Sequence, residues 1–335
     1  MKICVVRIDK MGDMLLTLPV IKGLKKLDEK NIVDVVCSES NFKICNKVSI
    51  INNIFLFNKR ISKISRIIKQ IRKENYDRLY TFSPGWISIM ISIFSKSKLK
   101  SLLILESRYK PGASSKIIEK IISKLFFDHI KIIDRNSYFQ KNKSIHQSTL
   151  MQKLVRQSGL NIMENEKINN LFHFNKKNYN QKEICLIHLS SKWINRYFSE
   201  DNFINLLKNL KNFGKNIVMS SDESSMKVFT KIFKKYKKIN NKDFNSLEDI
   251  NEILILDQLD FDNWGSIISS AKYVITPECG CTHVASLANC KLCVIYDADN
   301  LPEMISQEYA PWRKNYTKLI FNDKKLEEKL LSFSN

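Results

Sequence analysis

Asp13 is the residue in this chain best placed by its neighbours for proton transfer. It ends the run Lys10-Met11-Gly12-Asp13, after the apolar stretch Ile3, Cys4, Val5, Val6 and Ile8. In the residues that follow, Leu15, Leu18, Val20, Ile21, Leu24 and Leu27 recur at helical steps, with Lys22, Lys25 and Lys26 opposite. The pattern is strand, loop, helix, with Pro19 expected to kink or restart the helix. In an open α/β sheet such a loop borders the ligand crevice, where a carboxylate can act as a base. The structural alternative for Asp13 is a helix N-cap, favoured by free amides and the helix dipole. Residues 272–297 repeat the form, with Glu278-Cys279-Gly280-Cys281-Thr282-His283 at the turn. A helix starting near Gly280 would offer amides to an anion, and glycine lets the backbone come close. His283 can donate to a phosphate oxygen, although a lone helical histidine is more often a packed or solvated one.

A third segment, 184–203, reads ICLIHLSSKWINRYFSEDNF. It sets Ser190 and Ser191 after a strand, followed by Arg196, a cation able to grip a diphosphate with two parallel bonds. Together the three segments resemble glycosyltransferase family 9, which contains the ADP-heptose:lipopolysaccharide heptosyltransferases. Members open with a strand and a G-D-x-[LV]-[LH]-T-L-P run, matched here by Gly12 to Pro19. Near the end they carry D-[TS]-G-x-x-H, where this chain has Glu278 and Cys279 in place of the acid and hydroxyl, then Gly280 and His283. Between these lies K-x-W-P-x-x-x-[FW], with Arg196, Phe198 and Phe203 on its lysine, tryptophan and terminal aromatic positions.

The resemblance implies an α/β protein of the GT-B fold: two Rossmann-like doubly wound domains facing across a cleft that holds the active site. It implies an inverting transfer, most simply of heptose from ADP-heptose to the Kdo or heptose of the inner core of lipopolysaccharide or lipooligosaccharide. Asp13 would be the general base, with Lys10 close enough to favour its ionised form. Ser190, Ser191, Arg196, Glu278, Cys279, Gly280, Thr282 and His283 would bind the donor. Asp222 and Glu223, after the next strand, suit ribose hydroxyls or the N-terminal charge of a helix. Gly12, Lys10, Arg60 and Arg108 would line the acceptor side. No cofactor is expected beyond the donor. No metal is expected either, although Asp297-Ala298-Asp299 and Asp260-Phe261-Asp262 spell the D-x-D of metal-dependent transferases. The Glu278 and Cys279 departures leave two alternatives: another nucleotide sugar for a core or capsule glycan, or a decayed sugar-nucleotide-binding scaffold. The intact Gly12-Asp13 pair argues against decay.

Composition agrees. A length of 335 residues with 44% hydrophobic content suits two packed domains. The formal net charge of +21, from 55 Lys plus Arg against 34 Asp plus Glu, points to an anionic partner. It is read as scattered through Lys-rich helices, and no nucleic-acid-binding signature accompanies it. A phosphorylated glycolipid acceptor and an anionic inner-membrane surface fit better, with the enzyme peripheral on the cytoplasmic face. The chain opens with strand residues instead of a signal peptide, and its most apolar window, 86–94, is too short to span a bilayer. The eight cysteines suit a reducing compartment. Cys279, Cys281, His283, Cys290 and Cys293 could be read as a zinc site, but Cys293 lies inside an apolar run as a small hydrophobe would. The oligomeric state is open.

Strand and helix patterns alternate through both halves, which implies right-handed crossovers and parallel sheets. In the first half strands are expected at 32–37, 54–57, 78–82 and 99–105, and helices near 41–47 and at 60–74, 86–94, 115–127 and 144–159. In the second, strands are expected at 184–189, 216–219, 253–256 and on both sides of Glu278, and helices at 201–212, 223–235, 264–271 and 323–331. The expected division is an acceptor-binding domain 1–160, a linker 161–183 rich in Asn, Lys and Glu, and a nucleotide-sugar domain 184–335. The last helix is allowed to pack back on the first domain.

Overall fold

Ile3, Cys4, Val5 and Val6 are fully buried, as a central strand covered on both faces requires. The computed structural model describes residues 1–58, 64–83, 85–105, 114–141, 143, 145–163, 168, 171–174, 183–191, 193–212, 216–221, 223–245, 252–257, 259–299, 301–312 and 315–333. The chain divides into two units, Met1–Phe172 with Gln307–Ala310, and His173–Ser306 with Pro311–Asn335.

In the first unit β1 (Lys2–Arg7), β2 (Ile32–Ser38), β3 (Ile54–Phe57), β4 (Arg78–Thr81), β5 (Leu99–Leu105) and β6 (His129–Ile133) form one sheet. Their order is β3-β2-β1-β4-β5-β6, and every pairing is parallel. Val5 pairs with Val35 on one side and Tyr80 on the other. The helices are α1 (Met11–Leu27), α2 (Glu39–Cys45), α3 (Ile64–Lys73), α4 (Trp86–Ile93), α5 (Ser114–Phe126), α6 (Arg135–Gln140) and α7 (Gln147–Gln157). α1 packs beside α2 and α7, and α4 lies between α3 and α5. Cys4 and Val6 meet Ile67, Ile71 and Ile91 of that second row in one apolar cluster.

α1 runs unbroken through Pro19, and Met14 to Ile21 are all buried. A helix enclosed this far needs no strictly one-sided apolar stripe, and its neighbours hold the turn that proline weakens. At Gly23 a Cβ would lie 3.3 Å from the Cβ of Ile162, so a side chain there would press on that residue. Ile162, Ile168 and Phe172 are buried, so the expected linker begins with chain packed on the first unit. The return segment Gln307–Ala310 is tied to the same unit. His146 Nε2 bonds the Ala310 carbonyl at 3.2 Å, and Gln147 donates to buried Glu308.

The second unit contains β7 (Ile184–Leu189), β8 (Asn216–Ser221), β9 (Lys237–Ile239), β10 (Leu254–Leu256), β11 (Tyr273–Pro277), β12 (Lys291–Tyr296) and β13 (Thr317–Ile320). They are ordered β13-β12-β11-β7-β8-β10-β9 and all parallel. Around them lie α8 (Glu200–Asn212), α9 (Glu223–Met226), α10 (Thr230–Lys235), α11 (Asn241–Asn245), α12 (Phe261–Ser270), α13 (Gly280–Ala285), α14 (Pro302–Glu308), whose last two residues belong to the first unit, and α15 (Leu326–Phe333). The core joins Ile187, Met219, Ile275 and Ile295 of the strands to Trp193, Phe203 and Phe229. α15 buries Leu326 and Leu330 in this same core, so its apolar face is occupied within its own unit.

β6, β9 and β13 were not expected from the sequence. All three lie at sheet edges and are mostly unburied, so neither a long apolar run nor a full alternation marks them. No helix among the described residues is long and apolar enough to cross a membrane.

Candidate functional site

In the first unit the strand order reverses at β1, whose neighbours β2 and β4 belong to opposite windings. The carboxyl end of β1 is therefore the switch point where open α/β sheets bind ligands. Asp13 stands there, but not as an N-cap: that position belongs to Lys10, and Asp13 is in the first turn, its amide bonded to the Lys10 carbonyl at 3.1 Å. Its carboxylate is held by Arg7, the last residue of β1, whose Nη2 lies 2.7 Å from Oδ1. Among the described residues no other bond to the Asp13 side chain is made, and the side chain is 15% exposed.

Arg7 is 1% exposed; its Nη1 donates to the Phe82 carbonyl and its Nη2 lies 3.7 Å from Asp9. Burial works to lower the Arg7 pKa, but the negative charges of Asp13 and Asp9 outweigh it and the net shift is upward. The guanidinium is therefore a permanent charge. The loop is fixed from neighbouring strands. Ser83 donates to Asp9 at 2.6 Å and accepts from the Ile8 amide, Ser38 donates to the Asp9 carbonyl, and Asn41 donates to the Arg7 carbonyl. Thr17 closes the first turn by donating to the Asp13 carbonyl at 2.8 Å. Lys10 is exposed, and among the described residues the ion pair with Asp13 is made by Arg7 and not by Lys10.

In the second unit the reversal falls at β7, between β8 and β11. Ser190 and Ser191 follow β7, and Glu278 and Cys279 follow β11, so both groups end strands that flank the switch point. The Ser191 amide donates to Ser225 Oγ at 2.9 Å. Arg196 lies in a π-helical turn, Trp193–Tyr197, whose Trp193 packs edge-on against Phe203 and Phe321. Its guanidinium reaches Asp297 at 2.8 Å and remains 46% exposed, and Tyr197 donates to the other Asp297 oxygen at 2.6 Å.

Cys279 is the N-cap of α13. Its sulfur accepts from the Thr282 amide while Thr282 Oγ1 accepts from the Cys279 amide at 3.3 Å, a reciprocal capping box built on a thiol. Burial pushes the Cys279 thiol up to about 11, so it is a neutral group at physiological pH. α13 is only six residues long and the cap occupies an amide of its first turn, so it offers an anion less than a full helix end would. His283 is 1% exposed, with its ring 5.2 Å from that of Trp312. The motif, not exposure, is what supports a phosphate contact for it.

The family 9 glycosyltransferase (heptosyltransferase) sequence pattern matches residues 64–330. The chain belongs to glycosyltransferase family 9. As a solved fold, this family 9 chain is similar to Escherichia coli heptosyltransferase WaaC with ADP, at 13% identity and TM-score 0.71, covering all of both chains. It is also similar to the family 9 glycosyltransferase of Veillonella parvula DSM 2008, at 12% identity and TM-score 0.71, covering 99% of this chain and 89% of that one. E. coli ADP-heptose lps heptosyltransferase II gives 13% identity and TM-score 0.69, covering 100% and 98%. At such identities the likeness establishes the fold, which is GT-B. No curated protein matches the chain in sequence.

In this family 9 enzyme the two D-x-D runs have structural occupations. Asp297 holds Arg196 and Tyr197, and Asp260 caps α12 by accepting from the Asn263 amide at 2.8 Å. Among the described residues no three His, Cys, Asp or Glu side chains are grouped to hold a metal. Cys293 sits inside β12 and is fully buried, and Cys290 donates to the Ala285 carbonyl at 3.5 Å. Arg60, Arg108 and Asp222 lie outside the described residues, and Glu223 opens α9. Sequence reasoning missed Arg7, Ser83 and Tyr197, and read Asp297 only as part of a D-x-D run instead of as the partner of Arg196 and Tyr197. A signal existed for Arg7: a charge at the end of a buried strand demands a counter-charge, and Asp9 and Asp13 follow within one turn of chain.

Proposed function

We propose that this glycosyltransferase moves a heptose from ADP-heptose to the Kdo or heptose of the inner core of lipopolysaccharide or lipooligosaccharide, with inversion. The observation that carries the reading is the Asp13 carboxylate at the β1 switch point, anchored through Oδ1 by buried Arg7. In the proposed step Asp13 takes the proton of the acceptor hydroxyl. The acceptor oxygen forms its bond to the anomeric carbon as the bond from that carbon to the diphosphate oxygen breaks, its electron pair leaving on ADP. No covalent intermediate, cofactor or metal enters. Arg196 offsets the charge that develops on the diphosphate, and Ser190, Ser191, Gly280 and Thr282 line the donor side. Solved relatives carrying ADP and ADP-2-deoxy-2-fluoro heptose support the choice of nucleotide and sugar. The retained cap at Cys279 counts against decay, since the turn keeps its form despite the altered residue.

The test is a thermal-shift panel with ADP, UDP, GDP and CMP, followed by transfer to a phosphorylated Kdo-lipid acceptor. A ligand at about a hundred times its Kd stabilises by roughly 2.7 kcal/mol. Stabilisation by ADP alone and transfer from ADP-heptose are expected. Preference for UDP or GDP would replace the heptose donor with another nucleotide sugar, one of the readings that the Glu278 and Cys279 departures leave open.

A further inference from the structure

The charge of this chain is not evenly spread. Residues 1–172 hold 32 Lys plus Arg against 14 Asp plus Glu, whereas residues 173–335 hold 23 against 20. With Glu308 of the return segment counted in it, the first unit holds 32 against 15 and so carries +17 of the net +21. Within it, residues 58–73 contain seven basic residues and no carboxylate, and residues 78–105 contain no carboxylate either.

The same region exposes apolar side chains where a soluble helix would be polar. Trp86, Met90 and Phe94 stand at steps of four along and just past α4 and are 40%, 40% and 45% exposed. On α5, which packs beside α4, Ile121, Leu125 and Phe126 are 55%, 73% and 48% exposed. On the other flank of α4, α3 exposes Arg66, Lys69, Arg72 and Lys73 while burying Ile67 and Ile71. Lys96 and Lys124 are exposed beside the apolar residues. An apolar ridge about 12 Å long on α4, widened by α5 and bordered by cations, is the composition of a surface that lies in a bilayer interface. Tryptophan and phenylalanine suit the headgroup boundary and lysine and arginine suit anionic headgroups.

We propose that the α3–α4–α5 face of the first unit docks on anionic lipid, inserting Trp86, Met90, Phe94, Leu125 and Phe126 into the interface while the α3 cations engage headgroup phosphates. Charge complementarity with the apolar ridge decides the occupant: a second copy of this strongly basic unit would meet an uncompensated positive rim, whereas an anionic bilayer interface offers headgroup phosphates to the cations and acyl chains to the ridge. The location also suits chemistry on a lipid-linked acceptor, because Trp86 follows β4 by a few residues and Ser83 at the end of β4 bonds Asp9 in the loop before Asp13. That advantage rests on the glycolipid reading of the acceptor, but the docking itself does not.

The experiment is co-sedimentation of the full chain with vesicles of phosphatidylcholine containing or lacking about a third of phosphatidylglycerol. Binding to the anionic vesicles, weakened by salt, and little binding to pure phosphatidylcholine are expected. A Trp86→Gln, Phe94→Gln, Leu125→Gln variant should bind anionic vesicles about tenfold more weakly, whereas a Phe42→Gln, Leu301→Gln control at exposed apolar positions elsewhere should bind like the parent. Melting curves and the nucleotide-induced shift confirm that each variant is folded. Equal binding by parent and triple variant overturns the proposal. So does a parent that sizes as a dimer and a triple variant that sizes as a monomer, since the ridge would then be a contact between copies. A failed nucleotide panel together with normal vesicle binding would sink the donor reading and leave the docking surface standing.

Discussion

The unusual residue is Arg7. A buried guanidinium is costly unless paired, and here its partners include the carboxylate proposed as the base, so one ion pair serves both folding and positioning. Asp13→Asn should lower transfer by on the order of 10²–10⁴-fold, the usual range for a general base, while the thermal shift with ADP stays. Wild-type turnover in that variant would remove Asp13 from the mechanism. Arg7→Met strips the pair and should cost on the order of 2 kcal/mol, below the range for a fully buried pair because Asp13 is partly exposed; urea unfolding reads it, and Arg7→Lys should recover part. At Cys279 the sulfur stands in for a hydroxyl as a cap. Cys279→Ser should be close to neutral and Cys279→Ala should cost about 1 kcal/mol, measured the same way. Because the folded thiol is raised from 9.0 to about 11, the stability it gains by staying neutral is complete below pH 9 and is lost as pH rises from 9 to 11. Alkylation of the native protein at Cys279 should accordingly be slow at pH 8.

At the scale of elements, the site is built from strand ends, and what fixes it is the polar bonding from neighbouring strands. Ser38 ends β2 and Ser83 follows β4, and both reach the loop after β1, so the three parallel strands clamp it. In the second unit α12 approaches Phe174 so closely that a Cβ at Gly265 would collide with the ring. Phe174 also meets Phe261 edge-on, with ring centres 5.5 Å apart, which limits how far it can yield. Gly265→Ala should therefore cost about 1–3 kcal/mol, seen as a lower melting temperature, and adding Phe174→Leu should restore part of it. No such collision is visible in the sequence, where Gly265 reads as an ordinary helix weakener.

At the scale of the whole molecule the dominant property is the charge asymmetry between the two units. Scattered lysines were expected from the helical patterns taken one at a time; only the division at Phe172 shows that the net charge belongs to the unit that carries Asp13. A phosphorylated acceptor should be drawn to that unit by a field that salt screens. Its KM should rise several-fold from about 0.05 to 0.5 M salt, with the donor KM changing less. Equal salt dependence of both constants would count against the acceptor side being the basic one.

What the sequence by itself determined is local and periodic. The apolar runs and helical steps set two parallel-sheet units, and the Gly12-Asp13 and Gly280-His283 segments placed their chemistry after β1 and β11, because a strand followed by a loop and a helix dictates where its carboxyl end lies. Three edge strands escaped, since half-exposed residues carry no such period. Only the tertiary structure decided which partner each charged group takes. Lys10 is the neighbour of Asp13 along the chain, but Arg7 is the one that reaches it. Asp297 reads as half of a metal motif, yet its two oxygens are filled by Arg196 and Tyr197 from a hundred residues earlier. An ion pair depends on distance in space and on removal from water, and neither is written in the spacing of residues along the chain.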